Sequence, residues 1–307
     1  MGWLSRIFGK TQAADAAEAA PAAEAVPIAP AVEAPPVELP LADTPAPASA
    51  SADLAPEVED EIEALRLPAI RLLPQTGQAV PEAPVSSLGG RPSLPEGMAW
   101  PEEDGRPMLF LAQINYAEMP VLEGYPTEGL LSVFLADDAT QGCAFPSLDQ
   151  VGFRSFHFAD AGACVRRDAS GAPQGADALS SPLRAAGVVL QGEAVTDLPG
   201  PALRETAALQ KRLAEAEVAY DPAMLEARLA AGKAGAFSYG GYPVFAQGDV
   251  RQGPLRFHAK VLLQLGAWAE GDLSLGFGDG GAANLLIKPK DLGPLRFDKV
   301  LYHYDSY

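Results

Sequence analysis

Five side chains in this sequence are of the types that carry acid–base or nucleophilic chemistry near neutral pH: His157, His258, His303, Cys143 and Cys164. Their spacing matches no zinc-binding pattern, so no metal is expected. A couple between Cys143 or Cys164 and His157 or His303 has the right chemistry for a nucleophile and its base. Free cysteine, however, is more often a small buried hydrophobe. His157 and His303 also sit in alternating aromatic runs, FHF and YHY, where a hydrogen-bonded sheet histidine is the ordinary outcome. No nucleophile elbow, zinc-protease helix, Walker loop or dinucleotide fingerprint occurs, and no cofactor is expected. FGDGG (Phe277–Gly281) has the glycines and the acid of a ligand loop, with Asp279 at its tip. Asp-Gly between two extended runs is equally a hairpin signal.

A second kind of candidate comes from repetition. SSLGGRPSLPEG (Ser86–Gly97) returns as FSYGGYPVFAQG (Phe237–Gly248), 151 residues later. Comparing Ser87–Gln113 with Ser238–Gln264 without gaps gives seven identities in 27 positions; about two are expected by chance. Such self-similarity implies one supersecondary unit used twice. In both copies Gly-Gly is followed after one residue by proline and then by a strand, whereas a phosphate loop would run into a helix. Gly89, Gly90 and Pro92, with Gly240, Gly241 and Pro243, are therefore expected to build the same tight corner twice. Gln113 and Gln264 are polar residues inside apolar strands at equivalent positions. Each amide either hydrogen-bonds its own corner or faces a cleft between the copies, where it would orient a ligand. Trp100 is either a hydrophobic clasp or an aromatic wall of that cleft.

The elements that must position these groups read clearly. AIRLL, MLFLAQI, GLLSVFLAD, FRSFHFAD, AGVVLQGEAV, KVLLQLG, ANLLIKP and DKVLYHYDSY are short apolar or alternating runs bounded by Gly, Pro and Asp, as strands are. Pro56–Leu67 reads as a short helix. Pro201–Tyr220 and Pro222–Gly232 have helical periodicity, and they are expected to lie between the copies and cover a sheet face. The expected fold is α+β, mostly antiparallel, with two pseudo-symmetric repeats at about 84–200 and 236–307 and the interposed helices at 201–232.

The chain has 307 residues, 48% of them hydrophobic, and a net charge of −18. Residues 1–61 hold eleven acidic residues against Arg6 and Lys10, half of the whole charge. Residues 11–60 are Ala-, Pro- and Glu-rich and read as a disordered acidic linker ahead of a domain at 61–307. The acidic balance argues against a nucleic-acid partner. No apolar run is long enough to span a membrane. Residues 1–10 place Trp3, Leu4, Ile7 and Phe8 on one helical face, as a weak peripheral tether would. Two cysteines, with no disulfide framework, suit a reducing, cytoplasmic compartment.

SLGGRPSLPEGMAWP, RPMLFLAQIN and GYPTEGLLSVFLADD, followed in order by YGGYPVFAQGD, KVLLQLG and FGDGGAANLLIKPKDLGPLRFDKV, resemble the motifs of the YwqG-like proteins, a bacterial family of unknown function. The resemblance covers Pro68 to Tyr307. It implies an α+β fold rich in antiparallel β with an internal repeat, and no established activity. The family's basic residue before the first Gly-Gly and its Trp-Gly-Asp are replaced here by Ser87-Leu88 and Phe277-Gly278-Asp279. The functional expectation is a non-enzymatic binding module for a protein partner or a small ligand, with a cleft at the repeat interface. The alternative is a hydrolase or transferase that uses Asp279 with a nearby histidine.

Overall fold

The computed structural model describes residues 54–146, 148–168 and 178–306. The expected tether at 1–10 and nearly all of the expected linker at 11–60 lie outside them. The first helix, α1 (Pro56–Glu63), begins inside that span, with proline in its first turn and Val58 and Ile62 buried one turn apart.

Ten strands form the main sheet. They are β1 (Leu67–Gln75), β2 (Ser87–Leu88), β3 (Leu109–Asn115), β4 (Leu130–Leu135) and β5 (Phe153–Phe158), then β6 (Val188–Asp197), β7 (Phe237–Gly240), β8 (Lys260–Gly266), β9 (Ala282–Ile287) and β10 (Leu301–Asp305). Their spatial order is β10-β9-β8-β7-β1-β6-β2-β3-β4-β5, antiparallel throughout. One wing, β2 to β5, therefore comes from the first part of the chain and the other, β7 to β10, from the second. The two longest strands separate them. Each central strand pairs with the wing that the other one precedes in sequence: β1 pairs with β7, and β6 pairs with β2.

The wings share local detail. Ser87 lies opposite Gln113 in β2–β3, and Ser238 opposite Gln264 in β7–β8. Pairing skips Leu111 in β3 and Leu262 in β8, so each strand carries one bulge. A bulge puts two successive residues on one face. That is how Leu111 with Ala112, and Leu262 with Leu263, all enter one core.

The sheet curls around this core, which draws Ile70 and Leu72 of β1, Leu131 and Val133 of β4, Leu285 of β9 and Tyr302 of β10 together. The edge strands β5 and β10 meet across it. The Phe153 and Tyr302 rings are 5.4 Å apart, and the Ser155 hydroxyl donates to the Phe297 carbonyl at 2.6 Å. The convex face of each wing is covered by the excursion that follows its own Gly-Gly pair. Leu94, Trp100 and Met108 cover Phe110 and Phe134 on one wing; Tyr242 and Phe245 cover Val261, Leu286 and Leu301 on the other. Strands covered on both faces explain the unbroken apolar runs Leu130–Leu135 and Ala282–Ile287, buried at every position.

Helices α2 (Ser181–Ala186), α3 (Arg204–Glu215) and α4 (Pro222–Ala231) follow, and Asp221 caps α4 by accepting from the Ala223 amide. α3 and α4 were expected to cover a sheet face. Their buried stripe, Leu209, Leu213, Leu225 and Leu229, packs instead on Val58 and Ile62 of α1 in a core of its own. Arg212–Glu61 and Arg228–Glu59 ion pairs flank it. The short helix α5 (Pro289–Leu292) ends the series.

The two corners use positive φ at Gly89 (63°), Gly90 (74°), Gly240 (73°) and Gly241 (58°). A Cβ on Gly89 would lie 2.6 Å from the Leu183 carbonyl oxygen, whereas one on Gly97, also at positive φ, would meet nothing within 4 Å. Urea denaturation of the two alanine variants should separate these effects. Gly97→Ala should cost about 1–2 kcal/mol, the left-handed backbone term alone, and Gly89→Ala roughly 3 kcal/mol or more.

Candidate ligand cleft

The expected site residues fall in four places. Gln113 and Gln264 are each 2% exposed and lie on strands with four others between them, so they do not share a cleft. Gln113 donates to the Val85 carbonyl at 2.5 Å and accepts from the Ser93 amide at 2.9 Å. Gln264 donates to the Ala236 carbonyl at 2.8 Å and accepts from the Ser238 hydroxyl at 3.4 Å. Both amides are therefore spent on the chain around their own corners. Trp100 donates its indole N–H to the Met108 carbonyl at 2.9 Å and meets Phe134 edge-on at 5.8 Å, a clasp over the convex face. Pro92 and Pro243 are buried within the corners.

Asp279 is exposed in the turn between Leu275 and Ala282. Among the described residues it makes no hydrogen bond or ion pair, so the contact with His258 or His303 that an acid–base couple requires is absent. His258 is buried and its Nδ1 lies 3.2 Å from the Leu255 carbonyl. Cys143 and His303 do meet, Sγ to Nδ1 at 4.0 Å. The thiol is 1% exposed, which closes it to any substrate. The nearby Asp305 carboxylate accepts from the Ala246 and Gln247 amides at 3.0 and 2.8 Å. Among the described residues no cluster of three or more His, Cys, Asp or Glu side chains could hold a metal.

A cleft between the wings lies elsewhere, where the curled sheet brings its edges together. A cavity of about 420 Å³ is lined by Gly124–Glu128, His157 and Ala159 from one side and by Leu292, Gly293 and Leu295 from the other. Its size is that of a small-molecule site. Strand β5 supplies His157, whose ring packs edge-on against Phe297 at 5.0 Å, with Tyr116 at 6.3 Å behind it. Tyr125 anchors the loop: its hydroxyl donates to the Val261 carbonyl on the opposite wing at 3.0 Å. A Cβ on Gly129 would stand 2.6 Å from His157 Nε2, so only glycine lets the imidazole sit there. Nε2 of His157 and the hydroxyl of Tyr116 are buried without a hydrogen-bond partner among the described residues. Burial, partly offset by a hydrogen bond that the ring donates to the Glu128 backbone carbonyl, lowers the His157 pKa below its ordinary value. The imidazole is therefore neutral at pH 7, beside Glu128 and Thr127.

His157 was readable only as an aromatic-run histidine, because the cleft wall facing it lies some 135 residues on in sequence. Asp197 was missed altogether. It is 1% exposed, and its carboxylate accepts from Lys233 Nζ at 2.9 Å and from the amides of Ala234 and Tyr242 at 2.7 Å each. Its place at the end of an alternating strand gave no signal of that role.

A two-winged, curled antiparallel sheet with a cleft where its edges meet is the class of domain that these observations define. The family model described as "Domain of unknown function (DUF1963)" matches residues 86–306, and the chain belongs to that family. No curated protein matches it.

Two measurements follow from this geometry. Cys143 and Cys164 are 1% and 4% exposed, and burial, reinforced by the Asp160 carboxylate, raises the Cys164 pKa. The native protein should react with Ellman's reagent at least about a hundredfold more slowly than the urea-unfolded chain. Burial also lowers the pKa of His157, His258 and His303 from the ordinary 6.5. The unfolded chain then binds more protons than the native one around and below pH 6.5, so stability falls as pH drops through that region and levels off only about one pH unit above it. Replacing the three histidines with glutamine should flatten the melting temperature between pH 5 and 7.

Proposed function

We propose that this is a non-enzymatic binding module of YwqG-like type, built from two copies of one unit, whose ligand is a small neutral or cationic polar molecule. The duplication reading is supported by the shared register of Ser87 with Gln113 and Ser238 with Gln264, and by bulges at Leu111 and Leu262, 151 residues apart. The Gln113 and Gln264 amides also donate to carbonyls 151 residues apart, those of Val85 and Ala236.

The single observation that carries the binding reading is the cleft lined from both wings, with a neutral histidine in its wall and Glu128 as its acid. The Glu128 carboxylate accepts hydrogen bonds and the uncharged imidazole ring adds no repelling cation, while Leu292, Leu295 and Pro126 shield an apolar body. The sealed thiol of Cys143 and the lone Asp279 favour binding over catalysis. A chain with only two cysteines, Cys143 and Cys164, suits a cytoplasmic setting. Among the described residues no helix is long and apolar enough to cross a membrane.

The test is a thermal-shift screen with a library of neutral and cationic heterocycles. Thr127→Trp fills the mouth of the cleft from an exposed position, and Glu128→Gln removes its charge. Hits should weaken about tenfold or more, roughly 1.4 kcal/mol, in both variants. Hits indifferent to both substitutions, or a screen without hits while a protein partner binds the same face, would overturn the small-molecule reading.

A further inference from the structure

A separate surface site is carried by charge. Ion pairs engage Lys211, Lys233 and Lys299. The other three lysines of the described residues, Lys260, Lys288 and Lys290, make none. They come together because Lys260 opens β8 opposite Ile287, the residue that precedes Lys288. Beside them lies a cavity of about 530 Å³ lined by Arg256, Phe257, Ala259, Lys288, Pro289 and Lys290. Phe257 is 53% exposed, and the Arg256 guanidinium lies over its ring at 4.2 Å. Asp291 is the neighbouring acid, and it neutralises none of these cations by an ion pair among the described residues.

In a chain of net charge −18, three unneutralised cations lining one pocket with a half-exposed aromatic ring, and a fourth, Lys260, on the adjacent strand, are a local inversion. The fold does not require it. At the corresponding end of β4 the chain runs Ala136-Asp137-Asp138, beside a cavity of only about 10 Å³. Lysine ammonium groups bind phosphate as point charges, arginine binds it through paired N–H groups, and the face of Phe257 with Pro289 suits a planar body.

We infer that this pocket binds a small soluble anion that carries a phosphate group on an aromatic ring, with Arg256, Lys288 and Lys290 on the phosphate and Phe257 against the ring. The probe is phenyl phosphate, titrated into the full chain and followed by amide chemical-shift mapping. Saturable shifts at residues 256–260 and 287–291 are expected, with no binding of phenol and weaker binding of inorganic phosphate. The double variant Lys288→Gln, Lys290→Gln changes only surface groups and should weaken phenyl phosphate about tenfold or more. Phe257→Ala should abolish the advantage of phenyl phosphate over inorganic phosphate while leaving the latter bound. Absence of saturable shifts, shifts elsewhere only, or an unchanged double variant would overturn the site. Vesicles of phosphatidylcholine and phosphatidylserine provide the second arm: co-sedimentation that is lost in the double variant would assign the cations to a lipid headgroup and overturn the soluble ligand.

Discussion

The antiparallel ladder between β1 and β6 is the constraint on which the rest of this structure depends. It runs from Leu67 opposite Asp197 to Gln75 opposite Val189. Each of its strands carries a wing along its outer edge, yet the wing on β1 follows β6 in sequence and the wing on β6 follows β1. Neither wing can take its place until strands more than a hundred residues apart have paired. Such non-local contacts reward the chain only after loop closure has been paid. Once made, they tie both halves of the domain into a single core rather than two abutting ones.

Corners pinned by side chains then fix the wings to the ladder. At the second corner Asp197, the last residue of β6, holds the Tyr242 amide, while Lys233 sits beside the same carboxylate. Burial lowers the Lys233 pKa and the Asp197 charge acts against that shift, so removing the carboxylate would leave a largely buried ammonium without its partner. Further along, Asn284 brackets Val244 by accepting from its amide and donating to its carbonyl. At the first corner Gln113 alone spans Val85 and Ser93, with Ser132 opposite it in β4. The same backbone path is thus held by different polar groups, because any amide that reaches the buried backbone satisfies it.

Much of this was legible in the sequence, for physical reasons. Strands buried on both faces, such as LLSVFL and AANLLI, show as unbroken apolar runs, and the Gly-Gly-x-Pro corners show because few other residues tolerate successive positive φ. The likeness of Ser87–Gln113 to Ser238–Gln264 was visible because glycine corner and glutamine recur at the same spacing. The packing of α3 and α4 on α1 was not legible: an amphipathic stripe states that a face is buried but not against what. Nor was the cleft. It forms from β5, the 124–128 loop and the segment after α5, which meet only because the sheet curls, and curling leaves no local sequence mark. Gln113 and Gln264 drew notice as polar residues in apolar strands, the mark of a satisfied buried amide as much as of a ligand contact.

The curl also decides where this domain can hold a ligand. A closed barrel of ten strands would bond both edges and leave no lateral opening, whereas an open sheet would leave two edges for adventitious pairing. Here β5 and β10 share no ladder among the described residues; side chains close the seam, Ser155 of β5 and Gln150 just before it reaching the carbonyl of Phe297, in the turn that leads into β10, at 2.6 and 3.0 Å. A seam closed by side chains can widen locally without breaking a backbone ladder. At the end of that seam the 124–128 loop, anchored across the core by Tyr125, faces the Leu292–Leu295 segment, and His157 stands between them. The cleft therefore sits where the fold is least committed to its own hydrogen bonds, while the glycine corners and their amides lie where it is most committed.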